Sequence, residues 1–119
     1  MTNEEFNEEF RRRIKAFVID VLDYLEMIPL TPVSRVMIFQ LAKCSSSAGA
    51  NFRAFCRGRS KNEKFAKICI VVEEADETQY WLEIFCKRYP LHTANKILLE
   101  EATEITAITT SIKNKFYPG

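Results

Sequence analysis

Seven apolar residues near the start of the chain, Phe6, Phe10, Ile14, Phe17, Val21, Leu25 and Ile28, recur at alternating steps of four and three. Only a helix brings residues at this spacing onto one face; a strand would scatter them over both. The pattern stops at Pro29, and PLTPVS restarts it: the Thr31 hydroxyl can cap, and Pro32 suits a first turn whose N–H groups have no helical partner. A second stripe runs through Val33, Met37, Leu41, Cys44, Ala48, Asn51 and Phe55. The small-residue stretch CSSSAGANF, Cys44 to Phe52, keeps phase with it and therefore reads as helix, since a loop has no reason to keep phase. The break comes at Arg57-Gly58-Arg59-Ser60, where Gly58 is expected in the left-handed conformation and Ser60 with Glu63 forms a capping box. Phe65, Ile68, Val72, Ala75, Leu82 and Cys86 carry a third stripe up to Tyr89-Pro90, and Ala94, Leu98, Ile105, Ile108 and Ile112 a fourth. The pattern predicts one all-α domain over 1–119, an antiparallel up-and-down four-helix bundle with helices over 3–28, 32–56, 61–88 and 93–116.

Composition removes alternatives. Three glycines and four prolines leave little for the turns of a β-sandwich or barrel, and a net charge of +1 gives no strong nonspecific pull toward nucleic acid or membrane. The amino-terminal MTNEEFNEEF is acidic, and no run approaches the roughly 20 apolar residues that span a bilayer, so a cytoplasmic location without membrane association is expected. Cys44, Cys56, Cys69 and Cys86 are too widely spaced for a CxxC pair and read as reduced thiols inside helices.

Catalytic readings lack parts. A nucleophilic serine in CSSSAGANF needs a base, but His92, the single histidine, belongs at the opposite end of the bundle, and the stretch lacks the GxxxxGK[ST] phosphate-loop pattern. The carboxylates Glu73, Glu74, Asp76 and Glu77 resemble a bundle metal site, which would require Glu-x-x-His pairs on facing helices. The expectation is a protein that is not an enzyme and needs no metal or cofactor.

In antiparallel hairpins, residues equidistant from the turn lie level. Ser45 to Gly49 should then sit beside Ile68 to Val72 and beside Ile14 and Phe17, small side chains admitting large ones, with serine hydroxyls bonded one turn back. The same rule sets Gln40 level with Glu77 and Cys44 level with Glu73. Gln40, Ser47, Asn51, Glu73 and Glu77 are thus candidates for a polar core that fixes register.

The start of the first helix, the turn between the second and third, and the end of the fourth share one end of such a bundle. Most of the basic residues collect there, with Arg53, Arg57, Arg59, Lys61, Lys64 and Lys67 the sharpest cluster, moderated by Glu4, Glu5, Glu8, Glu9 and Glu63. Two explanations stand: complementarity to helix dipoles, or a surface for phosphates. Phe39, Phe52, Tyr80, Trp81 and Phe85 do not all fit the inward stripes and are candidates for a subunit interface between copies of the chain.

Gln40-Leu41, the run Ser47-Ala48-Gly49-Ala50-Asn51-Phe52, Ser60, Phe65, Lys67, and the segment from Glu73 to Glu83, EEADETQYWLE, together resemble a family of bacterial four-helix bundle proteins. The family comprises proteins encoded in intervening sequences of large-subunit ribosomal RNA genes and is related to the accessory protein of diversity-generating retroelements. The resemblance spans nearly the whole chain. It implies a ring, typically a homopentamer, and, as in the retroelement relatives, a basic surface that engages RNA or DNA and a reverse transcriptase.

Overall fold

The computed structural model describes residues 1–116. Within them the chain is an all-α four-helix bundle, α1 Asn3–Glu26, α2 Pro32–Cys56, α3 Lys61–Arg88 and α4 Thr93–Phe116, in which each helix packs on its sequence neighbour and α4 closes back onto α1. Short connections force neighbouring helices antiparallel.

Three of the four starts have a local cause. The Thr2 and Ser60 hydroxyls accept from the N–H groups of Glu5 and Glu63. At α2, Thr31 and Ser34 cap each other reciprocally, with Pro32 in the first turn. The first helix stops at Glu26, two residues short of the apolar pattern, because Met27 and Ile28 tighten their amide bonds onto Tyr24 and Leu25 as the chain approaches Pro29.

The core takes most of the stripes and shifts them where a seven-residue repeat is too rigid. An ideal helix drifts about 20° per heptad from that repeat. In α2 the buried set is therefore Ser34, Met37, Leu41, Cys44, Ser45, Ala48, Phe52 and Phe55; Val33 is exposed and Asn51 lies at the edge of the core. In α3 the drift replaces Val72 and Cys86 by Val71 and Phe85, and in α4 it replaces Ala94 and Ile108 by Asn95 and Thr109. Phe6 is exposed, although its ring stacks on Phe10 at 5.9 Å.

The drift corrects two interface candidates. Phe52 and Phe85 are fully buried: Phe52 packs against Phe10 and Phe55, and Phe85 against Tyr24 and Tyr89. Phe39 and Tyr80 are exposed, and Trp81 is half-buried with its ring edge on Tyr80.

The level rule is offset between α2 and α3. The Thr78 hydroxyl donates to Cys44 Sγ at 3.3 Å, so Cys44 stands level with Thr78 and not with Glu73. The first turn of α3 overhangs the end of α2, where Lys64 reaches the carbonyl of Phe55. Glu73 is consequently exposed, and Gln40, Ser47, Asn51 and Glu77 are half-buried at the sides of their helices. The Asn51 amide bonds within its own helix, to the Ser47 carbonyl at 2.9 Å and the Ser47 hydroxyl at 3.1 Å. The buried polar residues are instead Ser34, Ser45, Thr78, Asn95 and Thr109. Among the described residues no buried side-chain nitrogen or oxygen lacks a partner.

The small-residue stretch is helical throughout. Ser45 Oγ donates to the Leu41 carbonyl at 2.7 Å. A Cβ on Gly49 would meet Val18 Cγ2 at 3.1 Å and Ile14 Cγ2 at 3.5 Å, so this glycine admits α1. The close approach offsets the roughly 1 kcal/mol that a mid-helix glycine costs relative to alanine.

Candidate nucleic-acid interface

The cationic end is built where α2 stops. Arg57 caps α2 with a backbone N–H shared among the last-turn carbonyls, and Gly58 donates to the Phe55 carbonyl. Gly58 is not left-handed. A side chain there would place its Cβ 2.7 Å from Lys64 Cγ, so the glycine is required by the passage of Lys64. Glu63 closes the turn from the other side by accepting from the Arg59 backbone N–H at 2.7 Å.

These bonds divide the candidate cations. Lys64 Nζ donates to the Phe55 carbonyl at 2.9 Å and lies 5.0 Å from the centre of the Phe55 ring. It neutralises the carbonyl end of α2 and is not a free phosphate ligand. Lys67 is half-buried on α3. Arg57, Arg59 and Lys61 are exposed, and among the described residues none of them forms an ion pair. Arg53 is exposed too, but it looks sideways into a groove of about 190 Å³ between α1 and α2, shared with Arg11 and Lys15 and floored by Val18, Gly49 and Ala50.

Acidic neighbours take other cations out of the cluster. Arg11 bonds Glu8 through both Nε and Nη2, and this bond, helped by the fields of Arg12 and Arg57, lowers the Glu8 carboxyl below its ordinary range. Arg13 lies on the α4 side of α1, where it forks onto Glu101 at 2.7 and 2.8 Å and reaches Glu104 at 3.2 Å. That network ties α1 to α4 and raises the Arg13 pKa, chiefly through the Glu101 bond.

The opposite end holds a polar cluster that the apolar stripes did not reveal. Asn95, fully buried, donates from Nδ2 to the Tyr24 hydroxyl at 3.2 Å and to the carbonyls of Phe85 and Tyr89, while its Oδ1 accepts from Cys86 Sγ. The Tyr24 hydroxyl also shares a hydrogen bond with His92 Nδ1 at 3.1 Å, which joins the α3–α4 connection to the cluster. The sequence signal was Asn95 itself, which stands three residues before Leu98 and so in phase with the core of α4. Burial raises the thiols of Cys44, to about 11, and of Cys56 and Cys86. Such thiols are poor nucleophiles at neutral pH. Among the described residues no three His, Cys, Asp or Glu side chains come together as a metal set, and no helix is long and apolar enough to cross a membrane.

No family profile and no curated protein matches the chain. A solved structure does: a protein of unknown function from the S23 ribosomal protein family of Bacteroides thetaiotaomicron superposes with a TM-score of 0.78 over 91% of this chain and 97% of its own, at 23% identity. The two share a fold.

Proposed function

We propose that the chain is a non-enzymatic, self-associating helical bundle that engages nucleic acid, or a nucleic-acid-processing protein, through the end formed by Arg57, Arg59 and Lys61. The observation that carries this reading is the contrast among the cations: Lys64, Arg11 and Arg13 are occupied by carbonyls or carboxylates, whereas these three project from one turn without ion-pair partners among the described residues. Unpaired guanidinium and ammonium groups on one turn suit phosphate oxygens, since no intramolecular ion pair has to break first. Two likenesses support it: the sequence resembles proteins encoded within ribosomal RNA genes, and the fold is shared with a protein named for a ribosomal protein family.

One such turn is a weak site. A ring, which the family resemblance implies is typically a pentamer, would repeat the turn around an axis so that modest attractions add. The test is a salt titration of single-stranded RNA and DNA binding. Binding is expected at low salt, weakening log-linearly with salt and abolished in the Arg57→Glu/Arg59→Glu variant; equal binding by that variant contradicts the proposal. A scaffold without a nucleic-acid role is the second reading, favoured by the exposed Phe39, Val36 and Tyr80. Co-purification of a protein partner that resists nuclease would support it.

A further inference from the structure

We infer that the groove between α1 and α2 is a binding site for a small organic anion, a carboxylate or phosphate group carried on a compact apolar body about one ring in size. The site is separate from the Arg57–Lys61 turn and does not depend on it.

The small-residue stretch of α2 lays the groove down. Ser46, Gly49, Ala50 and Arg53 follow one another at steps of three, one and three, so they share one face of that helix. On α1, Arg11, Lys15 and Val18 stand opposite them at steps of four and three. At Gly49 the two helices come so close that a Cβ would lie 3.1 Å from Val18 Cγ2. Around this contact the residues of α2 are too small to fill the space between the helices, which leaves a groove of about 190 Å³.

Its electrostatics favour an anion. Three cations line the groove and no carboxylate does. None lies near it along the chain either: α2 has no carboxylate from Pro32 to Cys56, and α1 has none from Phe10 to Ile19. Arg11 is partly neutralised by Glu8, which it holds through Nε and Nη2. Lys15 and Arg53 are exposed and form no ion pair among the described residues. Beside an apolar surface the effective dielectric is lower than in open water, so both charges attract an anion more strongly there.

The three serines of the stretch have different fates. A serine or threonine inside a helix commonly returns its hydroxyl to the carbonyl one turn back, as Ser45, Thr103, Thr106 and Thr109 do. The Ser47 hydroxyl accepts from the Asn51 amide. Ser46 is half-buried on the wall of the groove, and among the described residues its hydroxyl is bonded to no other group. It stands as a neutral donor beside the two unpaired cations.

Size and floor set the class of ligand. A closed cavity of ~150 Å³ takes a benzene ring, so this groove has room for one ring and the start of a head group. Arg53 offers a planar fork that pairs two oxygens of a carboxylate or phosphate, and Lys15 adds a point charge. A bare anion would engage these cations and leave the floor of Val18, Gly49 and Ala50 wet; a neutral ring would do the reverse. Only a molecule with both parts satisfies the whole groove.

The test is a nuclear magnetic resonance titration of the full, nitrogen-15-labelled chain with phenyl phosphate, benzoate, inorganic phosphate and benzyl alcohol. The amide resonances of Gly49 and Ala50 are expected to shift with a ringed anion, at an affinity about tenfold or more above that for inorganic phosphate or benzyl alcohol. The tighter of phenyl phosphate and benzoate identifies the head group. Lys15→Gln/Arg53→Gln should weaken that binding about tenfold or more. Ala50→Leu keeps every cation but fills the recess, and should bring phenyl phosphate down to the affinity of inorganic phosphate with helical circular dichroism retained. If Ala50→Leu loses helicity, the wild-type ratio of phenyl phosphate to inorganic phosphate affinity decides. Equal affinity for those two, shifts confined to residues away from the groove, or binding unchanged in Lys15→Gln/Arg53→Gln overturns the site. So does a wild type that binds none of the four because a second copy of the chain covers the groove.

Discussion

The two ends of the bundle are built with opposite polarity. At the α2–α3 turn the interior is aromatic, with Phe10, Phe52, Phe55 and Phe116 in ring contact, and the surface is cationic. At the far end the interior is polar, with Asn95 bonded to Tyr24, Phe85, Tyr89 and Cys86, and the surface exposes Met27, Leu30 and Leu91. Polar groups at the far end spend their bonding capacity on one another and hold two connections together. Arg57, Arg59 and Lys61 on the cationic turn are exposed and form no ion pair among the described residues.

This contrast is most vulnerable at the aromatic interior. Phe52→Ala should cost about 3–5 kcal/mol, because a fully buried ring with two ring partners leaves a cavity; urea denaturation reads it, and a cost below about 1 kcal/mol would mean that the end collapses freely. Asn95→Leu comes next. It removes donors from the Tyr24 hydroxyl and two carbonyls, for an expected cost of about 2–3 kcal/mol in the same denaturation experiment, whereas Asn95→Asp keeps the shape but gives up the amide donors. Lys64→Met should cost about 1 kcal/mol by uncapping α2 while keeping the apolar stem. Arg57→Glu with Arg59→Glu should change stability by less than about 0.5 kcal/mol, since exposed cations without ion-pair partners contribute little.

A pH dependence is a separate expectation. Burial raises the Cys44 thiol to about 11, above its ordinary value of 9.0, so its contribution is present below about pH 9 and fades as pH rises toward 11. Thermal melting of the wild type against Cys44→Ala should converge over that interval; parallel curves would show that the thiol is not held neutral.

The starts of α2 and α3 were legible in the sequence because each is a local event: Thr31 with Pro32, and Ser60 with Glu63, sit beside the residues they serve. Which residue of a pair faces inward was less legible. Val71 against Val72, or Phe52 against Asn51, is decided by accumulated drift over several turns and by the overhang of α3 past α2. The cationic cluster is visible as composition, yet nothing in its spacing distinguishes Lys64, committed to a carbonyl nine residues back, from Lys61, which is exposed. Asn95 was hidden because a polar residue that keeps the phase of an apolar stripe carries no hydropathy signal of its own burial.

If the exposed turn, and not total charge, binds nucleic acid, the salt dependence of single-stranded RNA binding must change with that turn alone. The comparison is the wild type beside Arg57→Glu/Arg59→Glu/Lys61→Glu, measured at equal assembly state. The expected result is a negative slope of log affinity against log salt for the wild type, and a slope shallower in the variant by about 0.7 for each phosphate it no longer neutralises. Indistinguishable slopes, or no wild-type binding at low salt, would contradict it.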